Sequence, residues 1–506
     1  MALSAVILLA IQLLLVGIFS FFAFFNYLYG FASLCRPSIR RVTPLNRRVA
    51  VVIVCFNERN VLEGTIRACE QLSYQNKLVL VADDSTDPEV VEQVREFARS
   101  RGCSKIDTAT LFKMDSVREP SGDGPIEVWE SDKFVLLHRS HNAGFKSGSL
   151  RRVADYLSAR GVELMYLVDA DWHPQIDTLE RTLEVLEANE RVAFVQAKRL
   201  SFPSGMNLFQ KYVAIVEEGC YYVDFEGRQV LGHPILFSGC CALFRLDAVA
   251  AVGGFTAGHL TEDMDLTDRL WLSGWKGIYL SSVVNYGEVP FSYDHYRRQQ
   301  ERWAAGSARA LRDFFWPLLT TDKLDWIEKL SALRQNAYFV SSLLTAFAIV
   351  LGIGTITWIS QAWNSYAVEC YLYLLGKVKI IFIILIYWCI LSNFAEPVIM
   401  IVVKRKTYRD LLHLPMTIWY AWGVLLAYLI GNVKGLFKIK LDWFRTPKFL
   451  RTEVTDLARL PFSVRVLNGV VCAGLLLFYF VQGWSFGWFD EFSLLLVPAF
   501  ILATVK

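Results

Sequence analysis

The first uncharged run decides what this chain can become. Residues 2–25, "ALSAVILLAIQLLLVGIFSFFAFF", hold no charged side chain. A helix of that length spans the hydrocarbon core of a bilayer. The run is too long for the apolar part of a signal peptide. It has no basic start, and no small-residue cleavage site follows it. It therefore reads as a membrane anchor, with residues 1–34 as one transmembrane unit. Arg36, Arg40, Arg41, Arg47 and Arg48 follow directly. By the positive-inside rule this flank is cytoplasmic, and the amino terminus is outside.

The other apolar material lies in the last third. With 54% hydrophobic residues and 14% aromatics, the 506-residue chain exceeds a soluble norm. Further spans are expected at about 336–358 and 378–402, forming a pair over 336–402. Two more are expected at 463–484 and 489–505. The loop 359–377 is nearly free of basic residues, which suits the outside. The stretch 411–433, "LLHLPMTIWYAWGVLLAYLIGNV", is long enough to cross, yet both flanks are basic. A crossing would put one of them outside, so an interfacial or re-entrant segment is expected. That gives five spans and a cytoplasmic carboxyl end. The region 311–335 reads as interfacial helix.

The middle reads as a water-facing α/β domain over 47–310. "VAVVIVCF" (49–56), "KLVLVADD" (77–84), "KFVLLHR" (133–139), "LMYLVDAD" (164–171) and "VAFVQAKR" (192–199) read as buried strands. Helical patterns at 60–72, 146–160 and 175–189 alternate with them. Such alternation predicts a parallel sheet covered on both faces. Ligands are then expected at the carboxyl ends of the strands. The polar segment 101–132 reads as an exposed loop or insertion. The net charge of +3 gives no argument for nucleic acid. The ten cysteines have no metal spacing and read as buried thiols, compatible with a reducing compartment.

Acidic residues collect at those strand ends. Asp83 and Asp84 close one strand, and Asp169 and Asp171 close another. Two carboxylates on a bend suit Mg2+ or Mn2+, with substrate phosphates completing the shell. "TEDMDL" adds Glu262, Asp263 and Asp265 at a predicted helix start, where a carboxylate is well placed as a general base. No phosphate-binding glycine loop is present, so basic side chains must help meet phosphate charge. Lys146 in "HNAGFKSGSL" and Arg302 in "QQERW" are the candidates.

In their order, "CFNE", "ADDSTD", "HNAGFKSGSL", "DAD", "TED" and "QQERW" together resemble the processive family 2 glycosyltransferases, which include cellulose, hyaluronan and chitin synthases. "DDSTDP" and "WFRTPKF" (443–449) look most like the cellulose synthase-like A, glucomannan and mannan synthase branch and its bacterial relatives. The resemblance implies a Rossmann-like GT-A domain, cytoplasmic and embedded in a helical transmembrane bundle. It implies a nucleotide-sugar donor, UDP-glucose or GDP-mannose, and a growing β-linked polysaccharide moved across the bilayer. Asn57, Glu58, Asp83, Asp84 and Lys146 are then expected on the donor, and Asp169 and Asp171 on the metal and diphosphate. Asp263 is expected as base and Arg302 at the leaving group. Gln299, Gln300, Trp303 and Cys240, the last from "FSGCC", are expected on the acceptor side. A gating loop over 436–456 is expected to bring Arg445, Thr446 and Lys448 to the diphosphate. Trp358, Trp388 and Trp422 line a channel or face lipid. A plasma-membrane or Golgi location follows, depending on the source. A non-processive lipid transferase of the ceramide type is the alternative, and a scaffold with a degenerate transferase domain is a third.

Overall fold

The computed structural model describes residues 2–439, apart from 109–110, 113–125, 204, 257, 259–260 and 364. The expected spans at 463–484 and 489–505 lie outside the described residues. So do Arg445, Thr446 and Lys448, and most of the 436–456 loop.

Ten strands form one sheet among the described residues. They are β1 (Val49–Cys55), β2 (Lys77–Asp83), β3 (Ser104–Ile106), β4 (Ile126–Glu130), β5 (Phe134–Arg139), β6 (Leu164–Asp169), β7 (His173–Pro174), β8 (Val192–Ser201), β9 (Ala242–Arg245) and β10 (Lys276–Gly287). Their order is β3-β4-β5-β2-β1-β6-β9-β8-β10-β7. The sheet is mixed, which corrects the all-parallel expectation. β5, β2, β1 and β6 run parallel, as do β8 and β10. β9 enters antiparallel between β6 and β8. Its stretch "ALFR" is too short to announce itself by periodicity. The segment 101–132 is likewise more than a loop. β3 and β4 pair antiparallel and extend the sheet edge beside β5, using the β-prone "IEVWE".

The central strands are apolar along almost their whole length because helices cover both faces. Val49, Val51 and Ile53 belong to one core, and Ala50 and Val52 to the other. α1 (Ala2–Ala32) leads in from the amino end and packs on other helices. The covering helices include α2 (Leu62–Glu70), α3 (Pro88–Arg99), α4 (Phe145–Ala159) and α5 (Thr178–Leu186). α6 (Leu208–Gly219) passes through a wide turn at Cys220–Asp224 into α7 (Phe225–Leu231). α8 (Leu246–Ala251) and α9 (Glu262–Leu272) follow.

Beyond the sheet lie α10 (Tyr293–Thr320), α11 (Trp326–Asn336), α12 (Ser341–Gln361), α13 (Tyr366–Ile399), α14 (Leu414–Gly423) and α15 (Leu425–Leu436). Three helices among the described residues are long and apolar enough to cross a membrane: 3–32, 341–361 and 366–405, the last being α13 with its continuation. The third begins earlier than expected, so the predicted loop 359–377 shrinks to a turn around 362–365. Ser365 caps α13 by accepting from the Val368 N–H, and the apolar "YLYLL" continues the helix without a break. α10 runs unbroken past 310, so the domain limit expected there falls inside a helix. The stretch 411–433 is not one helix. It breaks at Val424 between α14 and α15.

α15 lies against α10 at backbone contact. A Cβ on Gly431 would come 2.3 Å from the Glu301 carbonyl oxygen, and one on Gly435 would come 2.2 Å from that of Ala305. Arg312 of α10 donates to the carbonyls of Gly435 and Leu436, closing the α15 carboxyl end. The small residues of "AAGSARA" make this approach possible.

Candidate active site

β1 is flanked by β2 on one side and β6 on the other, and the three strands end nearly level. Cys55 pairs with Asp83, and Val54 with Asp169. Connections leave in opposite directions there, which opens a crevice at the strand ends. A cleft of about 210 Å³ occupies that position. Glu58, Asp84, Lys146, Asp169, Asp171, Asp263, Gln299, Arg302 and Trp303 line it, nine of the residues expected from sequence.

The remaining described candidates lie behind its walls. Asp83 is fully buried. Its Oδ1 accepts from the Ser85 hydroxyl and the Cys55 thiol, and its Oδ2 is 2.7 Å from His138 Nδ1. Asn57 has a left-handed backbone with φ 53°, which asparagine tolerates. Its Oδ1 accepts the N–H groups of Thr86 and Asp87, each at 3.0 Å, bracing the loop after β2. Cys240 corrects the acceptor expectation. It is fully buried in the core, its sulfur 3.5 Å from that of Cys241, while Ser238 and Gly239 line the cleft in its place. Gln300 is also corrected. A helix turns about 100° per residue, so 299, 302 and 303 share a face that 300 does not. Gln300 instead accepts from the Tyr428 hydroxyl of α15 at 3.2 Å. On the same helix Arg297 and Arg298 pair with Asp294 one turn back.

Arg139 is the residue sequence reasoning missed. It is fully buried at the end of β5 and grips Asp84 with both arms, Nε to Oδ1 at 2.8 Å and Nη2 to Oδ2 at 2.5 Å. Nη1 also donates to the Ala143 carbonyl at 2.9 Å, and Nη2 to that of Phe145 at 3.3 Å. One guanidinium therefore ties the acidic strand end to the start of α4, which carries Lys146. Its signal was present: an arginine ending an apolar strand must be paired if buried. The partner was not readable. Arg199 was missed as well. It lies 4.3 Å over the Trp172 ring and donates to the Ser238 carbonyl. Gly287 makes room for that ring, since a Cβ there would sit 2.3 Å from it. Glu217 and Glu288 also line the cleft.

Lys146 forms the electrostatic centre. Its Nζ donates to Asp169 Oδ1 and, at 2.8 Å, to the Gly239 carbonyl, and stands 3.5 Å from Glu262 Oε1. Burial disfavours its charge, but Asp169 and Glu262 outweigh that and hold its pKa above the ordinary lysine value. Glu262 and Asp263 form the first turn of α9. Burial pushes Glu262 up to about 7, Lys146 pulls it down, and the Asp263 charge pushes it up again. Burial also raises Asp263, against the Met264 N–H, Lys146 and Arg302. A raised carboxyl beside a cleft is suited to proton transfer.

α10 reaches this point because Gly306 has no side chain. A Cβ there would lie 2.0 Å from Thr261 Cγ2, immediately before Glu262. The contact sets Arg302 and Trp303, one turn away, beside the α9 amino end. For a cation, no group of three or more His, Cys, Asp or Glu side chains converges among the described residues. Two carboxylates, Asp169 and Asp171, remain, a donor set that fits an oxygen-seeking cation relying on substrate oxygens for the rest of its shell.

Comparison with known proteins agrees with this architecture. Residues 164–505 match the family model described as Glycosyl transferase family group 2, and 50–110 match Glycosyl transferase family 2. The chain is 26% identical over 285 residues to "Probable glucomannan 4-beta-mannosyltransferase 2" of Oryza sativa subsp. japonica, covering 56% of this chain and 44% of that one. It is 28% identical over 307 residues to "Glucomannan 4-beta-mannosyltransferase 9" of Arabidopsis thaliana, covering 60% and 52%. The chain thus spans about half the length of these curated relatives. Among solved structures it is similar to the mannosyltransferase PcManGT from Pyrobaculum calidifontis, described in complex with GDP-Man and Mn2+. That match has a TM-score of 0.51 at 15% identity, covers 86% of this chain and 99% of the other, and shows the shared fold. With the family model spanning well over half its length, the chain belongs to glycosyl transferase family group 2, as an α/β GT-A domain joined to a helical membrane part.

Proposed function

We propose that the chain is an inverting hexosyltransferase that extends a β-linked polysaccharide of the mannan or glucomannan type and passes it across the membrane. One observation carries this reading: Asp169, Asp171, Asp263, Arg302 and Trp303 line a single cleft whose far wall, α10, also touches α15 beside the membrane helices. The relatives named above favour GDP-mannose as donor, with UDP-glucose as the second choice.

Asp84 and Glu58, with Asp83 and Asn57 bracing behind them, hold the nucleoside side of the donor. Asp169 and Asp171 would hold Mg2+ or Mn2+, which would supply positive charge against the diphosphate. Lys146 and Arg302 supply cationic groups from the protein at the same end. Asp263 takes the proton from the acceptor hydroxyl, whose oxygen then forms the new bond to the anomeric carbon. The bond from that carbon to the diphosphate breaks, and the nucleoside diphosphate departs. No second carboxylic acid is needed at a leaving group that is already anionic, unlike glycoside hydrolysis. Trp303 offers an apolar face to the acceptor sugar beside Gln299. The basic flanks support a cytoplasmic side for the domain, and the break of 411–433 at Val424 supports an interfacial rather than a crossing segment. Arg445, Thr446 and Lys448 close over the donor.

The test is a donor screen with purified enzyme in bilayers, followed by linkage analysis. Long β-linked product from GDP-mannose supports the proposal. Incorporation that stops at one sugar per lipid replaces it with the lipid-transferase reading.

A further inference from the structure

Lys146 contacts one of the two carboxylates proposed for the cation. Its ammonium is bonded to Asp169 Oδ1, and that side chain keeps about a third of its surface exposed, so the pair stands at the cleft rather than in the core. A divalent cation arriving at Asp169 therefore meets a positive charge already in place. The ammonium has a second seat within reach. It is held by the Gly239 carbonyl at 2.8 Å and lies 3.5 Å from Glu262 Oε1 on the opposite wall. A lysine is a point charge on a flexible stem and moves between such partners without a backbone change.

We propose that Lys146 is a built-in counter-ion for Asp169 that keeps the divalent cation out until a phosphate-bearing donor draws the ammonium away. The cation and the diphosphate then load together, and Glu262 receives the ammonium during the exchange. The inference rests on the reading of Asp169 and Asp171 as cation ligands, and it concerns the order of loading, not the chemistry of transfer. It makes the site selective for the cation–nucleotide pair over either alone.

Mn2+ alone is the probe, titrated into the full-length protein without nucleotide at pH 8 and followed by electron paramagnetic resonance. Lys146→Met should bind Mn2+ about tenfold tighter than the parent, within the usual range of site-to-site coupling. Lys146→Arg keeps the charge and should bind as weakly as the parent. Glu262→Gln removes the second seat and should bind more weakly still. Asp169→Asn added to Lys146→Met should abolish the gain. A gain of binding cannot come from misfolding, which guards the first comparison. Equal or weaker binding by Lys146→Met, with Mn2+ still dependent on Asp169, overturns the inference and leaves the cation assignment standing. Binding that ignores Asp169 in every variant overturns both.

Discussion

Two charged clusters in this molecule use the same residue types to opposite ends. One is the cleft around Glu262 and Asp263. The other lies where α7 and α11 meet α1, and centres on Asp224. There Arg228 Nε donates to Asp224 Oδ2 at 2.6 Å and Arg334 Nη1 to Oδ1 at 2.7 Å, with both guanidiniums over the Tyr29 ring. Burial opposes the Asp224 charge, yet the two arginines prevail and its carboxyl falls below the ordinary range. In the cleft two acids sit side by side, one lysine is shared among carboxylates, and both acids rise. The first arrangement fastens the membrane helices to the domain. The second leaves two neighbouring acids with raised pKa values beside a cleft, the condition that the proposed proton transfer needs. Both clusters are buried, so the difference lies in pairing: Arg228 and Arg334 each hydrogen-bond Asp224 directly, whereas neighbouring carboxylates of the cleft share Lys146 and Arg302.

The largest effect that would break this contrast is at Asp263. Asp263→Asn should lower transfer by roughly 10²–10⁴-fold, the usual worth of a general base, while nucleotide affinity holds. Turnover assays with calorimetric nucleotide titration check both halves, and normal turnover would remove Asp263 from the mechanism. Asp224→Asn should instead cost about 3–5 kcal/mol of stability by leaving two buried cations without their carboxylate. Thermal unfolding in detergent measures it, and the residual activity per folded molecule should be unchanged. Gly306→Ala comes next, at about 1–3 kcal/mol for overpacking. It should also depress turnover by displacing Arg302. Adding Thr261→Gly should restore part of both, which a double-mutant cycle resolves.

The smallest and most discriminating test is pH. The raised acids of the cleft hold more protons folded than unfolded. Between about pH 7 and the ordinary carboxylate value near 4, stability should rise as pH falls while transfer is lost. Asp224 has the opposite sign. Its contribution is present above the ordinary value and is lost as pH falls through its depressed folded value. Activity and melting temperature, measured on the same samples from pH 8 to well below pH 4, should therefore part company before both collapse. A parallel decline would place the two clusters in one class.

Much of the site was legible because its residues stand at the ends of readable strands. "ADD" and "DAD" follow apolar runs, and the level ends of β1, β2 and β6 bring them together. Strand order was not legible. The antiparallel β9 is four residues long and carries no alternation, so its insertion beside β6 depended on tertiary packing. The partner of Arg139 was unreadable for a related reason: its bonds to Ala143 and Phe145 are local, but Asp84 comes near only through the pairing of β2 with β5. Gln300 and Cys240 failed on direction alone. Both stand in the right motif with side chains turned from the cleft, a matter of about 100° on a helix and of the φ 60° bend at Cys241.

α10 meets the Thr261 side chain at the tip of α9 through Gly306, and the body of α15 through the backbone of Ala305 and Glu301. Such a helix behaves as a stiff rod shared by two machines. Any displacement of α15 is therefore felt at once along the turn of α10 that carries Arg302 and Trp303, so the far wall of the cleft and the helix packed behind it form one mechanical unit.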